Sequence, residues 1–214
     1  MIDYVTANRS VILEALAQHV WLSLLPVLVG AALALPVGYL GVRYPRFYQP
    51  IVNLGGLIYS IPSLALFLML PAVLGLQVLD PLNVVAALAL YTFALLTRTV
   101  ADALLSVQGQ ATQAAYALGY RPVRQLLGVE LPMALPVMLA GLRVATVSNI
   151  SLVSVSAFLG VTSLGSLFTR GLQLDFLEPI AVGIVLSVLL AAAADTCIVL
   201  LQRRLTPWAR VSTR

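Results

Sequence analysis

QAAYALGYRPVRQLLGVELP, residues 113–132, is the longest polar-bearing interruption in a sequence that is otherwise almost continuously apolar. Residues 111–118 are good helix formers, and Gly119 stands where a left-handed C-terminal cap is expected. Pro122 suits the first turn of a second short helix, because its missing N–H is not needed there. Pro132 and Pro136 mark the entry into the next apolar segment. The stretch therefore predicts a helix, a glycine elbow and a second helix, which we expect to face water and a partner.

The composition excludes an ordinary soluble domain. Hydrophobic residues make up 61% of the 214 residues and charged residues only 9%, whereas a soluble domain carries about 25% charged residues. The mean hydropathy of +1.01 points the same way. The sequence therefore predicts an all-α, polytopic membrane protein.

Residues that could carry catalysis or bind a metal are scarce. Cys197 is the single cysteine and His19 the single histidine, so a disulfide and a cysteine or histidine metal cluster are excluded within the chain. The sequence contains no Walker-type phosphate loop and no carboxylate pair in a plausible aqueous pocket. We therefore expect no catalytic residue, no metal site and no cofactor bound by this chain.

Five apolar segments are long enough to cross a bilayer. They cover about residues 20–42, 51–79, 84–105, 133–159 and 180–201, and a loop, 106–132, joins the third to the fourth. Pro26 and Pro36 should kink the first segment, and Pro62 and Pro71 the second. Asp80 should begin the turn before the third segment. With no internal repeat in the sequence, residues 1–214 are expected to form one transmembrane domain.

The loop arginines divide unevenly between the two sides that five spans create. The side that carries the loop 106–132 has eight of them, namely Arg43, Arg46, Arg121, Arg124, Arg203, Arg204, Arg210 and Arg214. The other side has Arg9 and Arg170. Basic loops stay in the cytoplasm, so the distribution predicts an outside N-terminus and an inside C-terminus, and it argues against nucleic-acid binding.

Four charged residues fall inside the apolar segments. Arg98 and Asp102 lie four residues apart on one helix face, which suits either a pathway element or an arginine that reaches the interface. Arg143 lies about 15 Å past Met133, and Asp195 about 12 Å before Arg203. Because their depths match, we predict that Arg143 and Asp195 pair. The pair is either a structural anchor or a pathway or coupling element.

The loop 106–132 resembles a motif of a known family. The membrane-spanning permease subunits of binding-protein-dependent ABC importers carry E-A-A-x-x-x-G-x9-I-x-L-P in a cytoplasmic loop. Ala114, Ala115, Gly119, Leu131 and Pro132 match this motif at the family's spacing. Gln113 replaces the glutamate and Val129 the isoleucine. The segments IYSIPSLALFLMLP, RTVADALLSVQ and ELPMALPVMLAGLR look most like permeases for quaternary-ammonium osmoprotectants such as glycine betaine, choline or carnitine.

The resemblance implies a transmembrane permease of the type I ABC importer fold in a bacterial cytoplasmic membrane. Its partners would be two cytoplasmic ATPase subunits that use ATP and Mg, a second identical or related permease, an external solute-binding protein and the lipid bilayer. The ATPase-coupling residues would be Gln113, Ala114, Ala115, Gly119, Arg121, Arg124, Val129, Leu131 and Pro132.

Three alternatives remain open at this point. A methionine-type amino-acid importer has a permease of similar size. A secondary transporter would be expected to show two related halves, which this sequence lacks. A membrane scaffold subunit would need no such loop.

Two further segments have local interpretations. Residues 11–16 and His19 are expected at the membrane interface, before the first span begins. Residues 160–179 are rich in glycine and serine, which suggests a mobile outer loop, a partly re-entrant element or a contact for the binding protein.

Overall fold

The computed structural model describes residues 1–208, and within them every regular element is a helix. Arg210 and Arg214 lie outside the described residues. In chain order the elements are α1 Ile2–Ala7, α2 Arg9–Arg43, α3 Pro45–Ser60, α4 Ser63–Leu74, α5 Pro81–Ser106, α6 Gln110–Ala117, α7 Pro122–Gln125, a π-helical turn Leu126–Glu130, α8 Leu131–Val153, a 3₁₀ turn Ser154–Leu159, α9 Gly165–Gln173 and α10 Leu177–Leu205.

The first span is longer than predicted. Helix α2 runs without interruption through Pro26 and Pro36, and it begins at Arg9. Residues 11–16, which we expect as an interfacial lead-in, form the first turns of this same helix and not a separate element. Ile12 and Ala15 are buried there in an apolar cluster with Leu164 and Leu167. That burial gives the early turns a packing surface inside the protein.

The second span is broken and not merely kinked. Helices α3 and α4 meet at an angle of 107° on either side of Ile61 and Pro62. Pro62 has no backbone N–H and disfavours helical geometry at the residue before it, and Ile61 is accordingly extended, with φ −69° and ψ 130°. The Tyr91 hydroxyl donates a hydrogen bond to the Ile61 carbonyl oxygen. The Ile61 carbonyl at the break thus has a hydrogen-bond partner inside the bundle, as backbone groups within the hydrocarbon region require.

Helix α5 is the centre of the bundle and packs against α2, α3, α4 and α8. Asp80, at the predicted turn before this span, caps its N-terminus and accepts a hydrogen bond from the Leu82 N–H at 2.8 Å. Glycines let α2 approach closely: a Cβ at Gly30 would lie 2.6 Å from Thr92 Cβ, and one at Gly38 would lie 2.7 Å from Val100 Cγ1. Helices in lipid have no hydrophobic driving force to associate, so their packing depends on close contact, which small residues permit.

The segment 160–179 contains a packed helix, α9, and the first residues of α10. Leu164, Leu167 and Gly171 of this region are buried, and α9 contacts the 3₁₀ turn and α10. A Cβ at Gly165 would overlap the Ser154 carbonyl oxygen. The expectation of a mobile loop is therefore wrong, because this glycine serves close backbone approach and not flexibility.

The last span, α10, lies along α8 and α9. Among residues 1–208, four helices are long and apolar enough to cross a membrane, and the bent pair of α3 and α4 passes the same test when its two helices are taken together. The predicted all-α architecture of about five spans is confirmed.

Candidate functional site

The glycine elbow of the loop 106–132 has the predicted geometry. Gly119 has a φ of +77°, the left-handed conformation that residues with a Cβ rarely adopt. The Tyr120 N–H donates to the Ala115 carbonyl at 3.1 Å, and the Gly119 N–H to the Tyr116 carbonyl at 2.9 Å. This pair of bonds is a Schellman motif, which ends α6 and turns the chain toward α7.

The two alanines of the loop motif point in different directions. Ala115 is only 4% exposed and faces inward, whereas Ala114 and Gln113 are exposed. The principal contacts of α6 are with the π-helical turn and with α7. Both alanines match the loop motif, but the small size of Ala115 serves packing within the loop itself.

The outer surface of the loop is apolar. Tyr116 is 79% and Leu118 77% exposed, and Val123 and Leu127 are also largely exposed. Four large apolar side chains at the water-facing end of a membrane protein form a patch that is typical of a protein contact. Arg121 and Arg124 are exposed beside it, and the Arg124 guanidinium lies 4.7 Å from the centre of the Tyr120 ring.

The second loop helix is continuous with the fourth span. Helix α7 begins at Pro122 as predicted, but the chain then passes through the π-helical turn into α8, so that 122–159 form one helical span. Leu131 donates its N–H to the Leu126 carbonyl five residues before it. Pro132, the next residue, has no N–H and therefore cannot form an α-helical hydrogen bond to the residue four positions before it. Val129 and Pro132 are half-buried.

Leu131 anchors this junction. It packs with Leu126 against the buried cluster that contains Val100, Leu104 and Met138.

A cleft of about 520 Å³ separates α6 from the end of α2. The side chains that line the cleft include Tyr39, Arg43, Thr112, Tyr116, Gln125 and Glu130. The first loop helix is therefore tied to α7 and the π-helical turn more than to α2.

The structure brings Arg143 and Asp195 together. Arg143 Nε lies 2.6 Å from Asp195 Oδ1, and Nη2 lies 2.9 Å from Oδ2. The pair joins α8 to α10, and both side chains are about one-third exposed. A two-bond arrangement of this kind fixes the relative register of the two helices.

Arg98 and Asp102 form a looser pair. Arg98 Nε lies 3.5 Å from Asp102 Oδ2, and their side chains are 67% and 47% exposed. Tyr48 of α3 donates its hydroxyl hydrogen to Asp102 Oδ1 at 2.7 Å. With Tyr48, the pair forms an exposed cluster of three polar side chains that links α3 to α5.

His19, which we expect at the membrane interface, is enclosed by the protein. It is fully buried, and its ring bridges two distant backbone groups: Nε2 lies 2.9 Å from the Ile150 carbonyl oxygen, and Nδ1 accepts from the Leu164 N–H at 3.2 Å. Because Nδ1 accepts, Nε2 carries the hydrogen and donates it to Ile150. The single histidine therefore ties α2 to α8 and to the start of α9.

Sequence reasoning missed His19's role and a row of polar residues along α3. The row consists of Gln49, Asn53, Gly56 and Ser60, all of them exposed. Their spacing of four, three and four residues places them on one helical face, and that spacing was a usable signal. Within the part of the chain that the structure describes, no group of three or more metal-binding side chains occurs.

Sequence comparison assigns the chain to a family. The profile of the family described as "Binding-protein-dependent transport system inner membrane component" matches residues 20–208. The chain belongs to this family. The permease is a multi-pass inner-membrane subunit of an ABC importer, as the loop motif predicted.

The permease is similar to characterised proteins over nearly its whole length. It is 32% identical to the osmoprotectant import permease protein OsmW of Salmonella typhimurium, over 96% of this chain and 97% of the relative. It is 30% identical to the glycine betaine/carnitine/choline transport system permease protein OpuCD of Bacillus subtilis, over 95% of this chain and 88% of the relative.

Its fold is that of a type I ABC importer permease. The inward-facing MetNI methionine ABC transporter superimposes with a TM-score of 0.85, over 94% of this chain and 98% of the transporter chain. The sequence identity in that comparison is 17%, so the similarity concerns the fold.

Proposed function

We propose that this permease imports a quaternary-ammonium osmoprotectant such as glycine betaine, choline or carnitine. The observation that carries the proposal is similarity across almost the full chain to permeases named for these solutes. An amino-acid substrate of the methionine type is the alternative. Only the fold favours it, and one fold serves many substrates.

The loop 106–132 is the surface on which the ATPase acts in this proposal. Its exposed apolar patch, in which Tyr116 and Leu118 are the most exposed side chains, needs a protein partner to cover it. Because α7 continues into α8, a movement of α6 is passed through the elbow into the fourth span. A rigid helix is a direct route by which ATP-driven closure could reach the membrane.

The full importer would contain two copies of the ATPase, which hold ATP and Mg, and a second permease that is identical or related to this one. An external binding protein would deliver the solute. The loop end of the bundle, where α6 lies, would face the cytoplasm, with the N-terminus outside and the C-terminus inside. The excess of loop arginines on that side supports this orientation.

Transport in a defined system tests the proposal. The permease would be purified with the ATPase that copurifies with it, reconstituted into vesicles that contain ATP, and supplied with the binding protein and one radiolabelled solute. We expect ATP-dependent uptake of at least one of glycine betaine, choline and carnitine, and none of methionine. Vesicles without ATP are the control. Uptake of methionine alone would replace the proposal with the amino-acid alternative.

A further inference from the structure

The row of polar residues on α3, called here the polar stripe, consists of Gln49, Asn53, Gly56 and Ser60. Gln49 Nε2 donates to Asn53 Oδ1 at 2.8 Å, and Ser60 Oγ donates to the Leu57 carbonyl at 2.7 Å. None of the residues of α3 is buried. The stripe therefore follows one exposed face of α3, from near its start to the break before Pro62.

The other sides of α3 have different surroundings. A Cβ at Gly55 would lie 3.1 Å from the Ala94 carbonyl oxygen, so this side packs on α5. Leu54 is exposed and apolar. At about 100° of rotation per residue, Leu54 lies roughly 130° around the helix from the centre of the stripe. Helix α3 thus presents one polar and one apolar exposed surface at the same depth.

The Arg98–Asp102 pair continues the polar surface onto α5. Helix α2 packs on the side of α5 that carries Thr92 and Val100. Arg98 and Asp102 project from the side away from α2, and Tyr48, the neighbour of Gln49, bonds to Asp102. The pair and the stripe therefore share one face of the subunit, opposite the outer face of α2.

Lipid does not suit this face. The outer side of α2 exposes apolar side chains such as Leu28 and Leu35, as a lipid-facing helix does. An amide, a carboxylate or a guanidinium turned toward hydrocarbon costs about several kcal/mol unless it finds a partner. Asn53 and Ser60 lie about 12 and 22 Å from the start of α3, which is well inside a span. The amide and guanidinium groups of this face carry more donors and acceptors than their partners within the chain satisfy, so the face must also meet water or another protein surface.

We infer that the polar stripe, together with Arg98 and Asp102, is one wall of the route along which the solute crosses the membrane. This inference rests on the proposed function. The wall offers amide, hydroxyl and backbone groups and one charge pair with no net charge. These groups can exchange hydrogen bonds with a small hydrated cation or zwitterion without binding the solute tightly. Passage through the membrane requires such weak binding.

Accessibility of single cysteines tests the wall. Asn53→Cys, Gly56→Cys and Ser60→Cys would each be made in a Cys197→Ala chain and purified in complex with the ATPase. The probe is the trimethylammonium-ethyl methanethiosulfonate ion, a thiol reagent that carries the proposed solute's head group. Leu54→Cys is the matched control one residue from Asn53, and Leu28→Cys and Leu35→Cys are controls on the outer face of α2.

We expect the stripe cysteines to react about tenfold faster or more than the controls, because only a hydrated thiol ionises to the reactive thiolate. Excess choline should slow the reaction at the stripe and not at the controls. Equal rates at Asn53→Cys and Leu54→Cys would overturn the inference. So would stripe cysteines that react in the isolated chain but not in the complex, since the stripe would then be a protein contact.

Uptake by the same complexes separates this inference from the proposed function. If the Cys197→Ala complex imports an osmoprotectant while the stripe cysteines stay unreactive, the wall is wrong and the function stands. If the stripe cysteines react but no osmoprotectant is imported, the substrate proposal fails and the water-facing wall stands.

Discussion

Arg143 of α8 holds Asp195 of α10 through two hydrogen bonds, 2.6 and 2.9 Å long. The residues lie 52 positions apart in sequence and at matching depth in two neighbouring spans. Removing one partner leaves the other charge alone within an apolar span, which costs more than removing both.

We therefore predict that Arg143→Gln and Asp195→Asn each lower the amount of folded permease in the membrane, and that the double variant recovers part of it. Fluorescence-detected size exclusion of detergent extracts measures the folded amount. A double variant whose loss equals the sum of the single losses would show that the pair contributes no coupling energy.

The buried ring of His19 is expected to hold α9 in place. His19→Leu leaves the Leu164 N–H and the Ile150 carbonyl without their bonds to the ring, at a cost of about 1–3 kcal/mol for each unsatisfied group. We expect a lower unfolding temperature and faster proteolytic cleavage within 160–179. Leu13→Ala, an exposed change on the same helix, is the control. Unchanged cleavage with normal stability would contradict this role.

The loop could be predicted from the sequence because its conformation is local. Gly119 and Pro122 limit their own backbone angles, and the Schellman bonds of the elbow connect residues within one turn. The continuity of α7 with α8 was missed, because Pro132 and Pro136 were interpreted as a boundary. Both prolines lie within α8, where Pro132 occupies the first turn that tolerates proline and Pro136 lies further inside.

The role of His19 could not be predicted, because its partners are backbone atoms 131 and 145 residues away, which have no signature in sequence. The four residues of the α3 stripe have helical spacing in the sequence, but they lie within a segment whose other residues are mostly apolar, so the row was overlooked. Glycine in 160–179 was interpreted as mobility. The same residue type also permits close packing, and only the fold distinguishes the two.

The orientation is predicted to place Ser10 outside the cell and Thr213 inside. Single cysteines at these positions in a Cys197→Ala chain would be treated with a membrane-impermeant maleimide on intact cells. Ser10 is exposed, and Thr213 lies outside the described residues. We expect labelling at position 10 in intact cells, and at position 213 only after permeabilisation. Labelling of position 213 but not of position 10 in intact cells would reverse the topology.

The two loop alanines should respond differently to the same substitution. Ala115 is buried against the loop itself, so Ala115→Glu should disorder the loop, lower the unfolding temperature and weaken ATPase copurification. Ala114 is exposed, so Ala114→Glu should leave the unfolding temperature unchanged and weaken only copurification, through the lost fit to a partner. Equal loss of thermal stability in both variants would show that the outward face of α6 is also structural.

The substitutions that position 119 tolerates should be limited by backbone conformation and not by the space around the side chain. No atom lies within 4 Å of a Cβ built at this position, yet its φ is +77°. The left-handed conformation costs an ordinary L-residue about 1–2 kcal/mol, and a β-branched residue suffers most. We therefore expect Gly119→Val to keep the spans inserted but to weaken ATPase association and abolish uptake, measured with membrane level on the same samples.

Gly119→Asn is the matched control, because asparagine adds a larger polar side chain yet tolerates this backbone conformation. It should retain most of the association and most of the uptake. If Gly119→Asn fails as completely as Gly119→Val, the position is limited by contact with the ATPase and not by its own geometry. If both variants transport normally, the elbow is an ordinary solvated turn, and the proposed route from the ATPase through α6 into α8 is wrong.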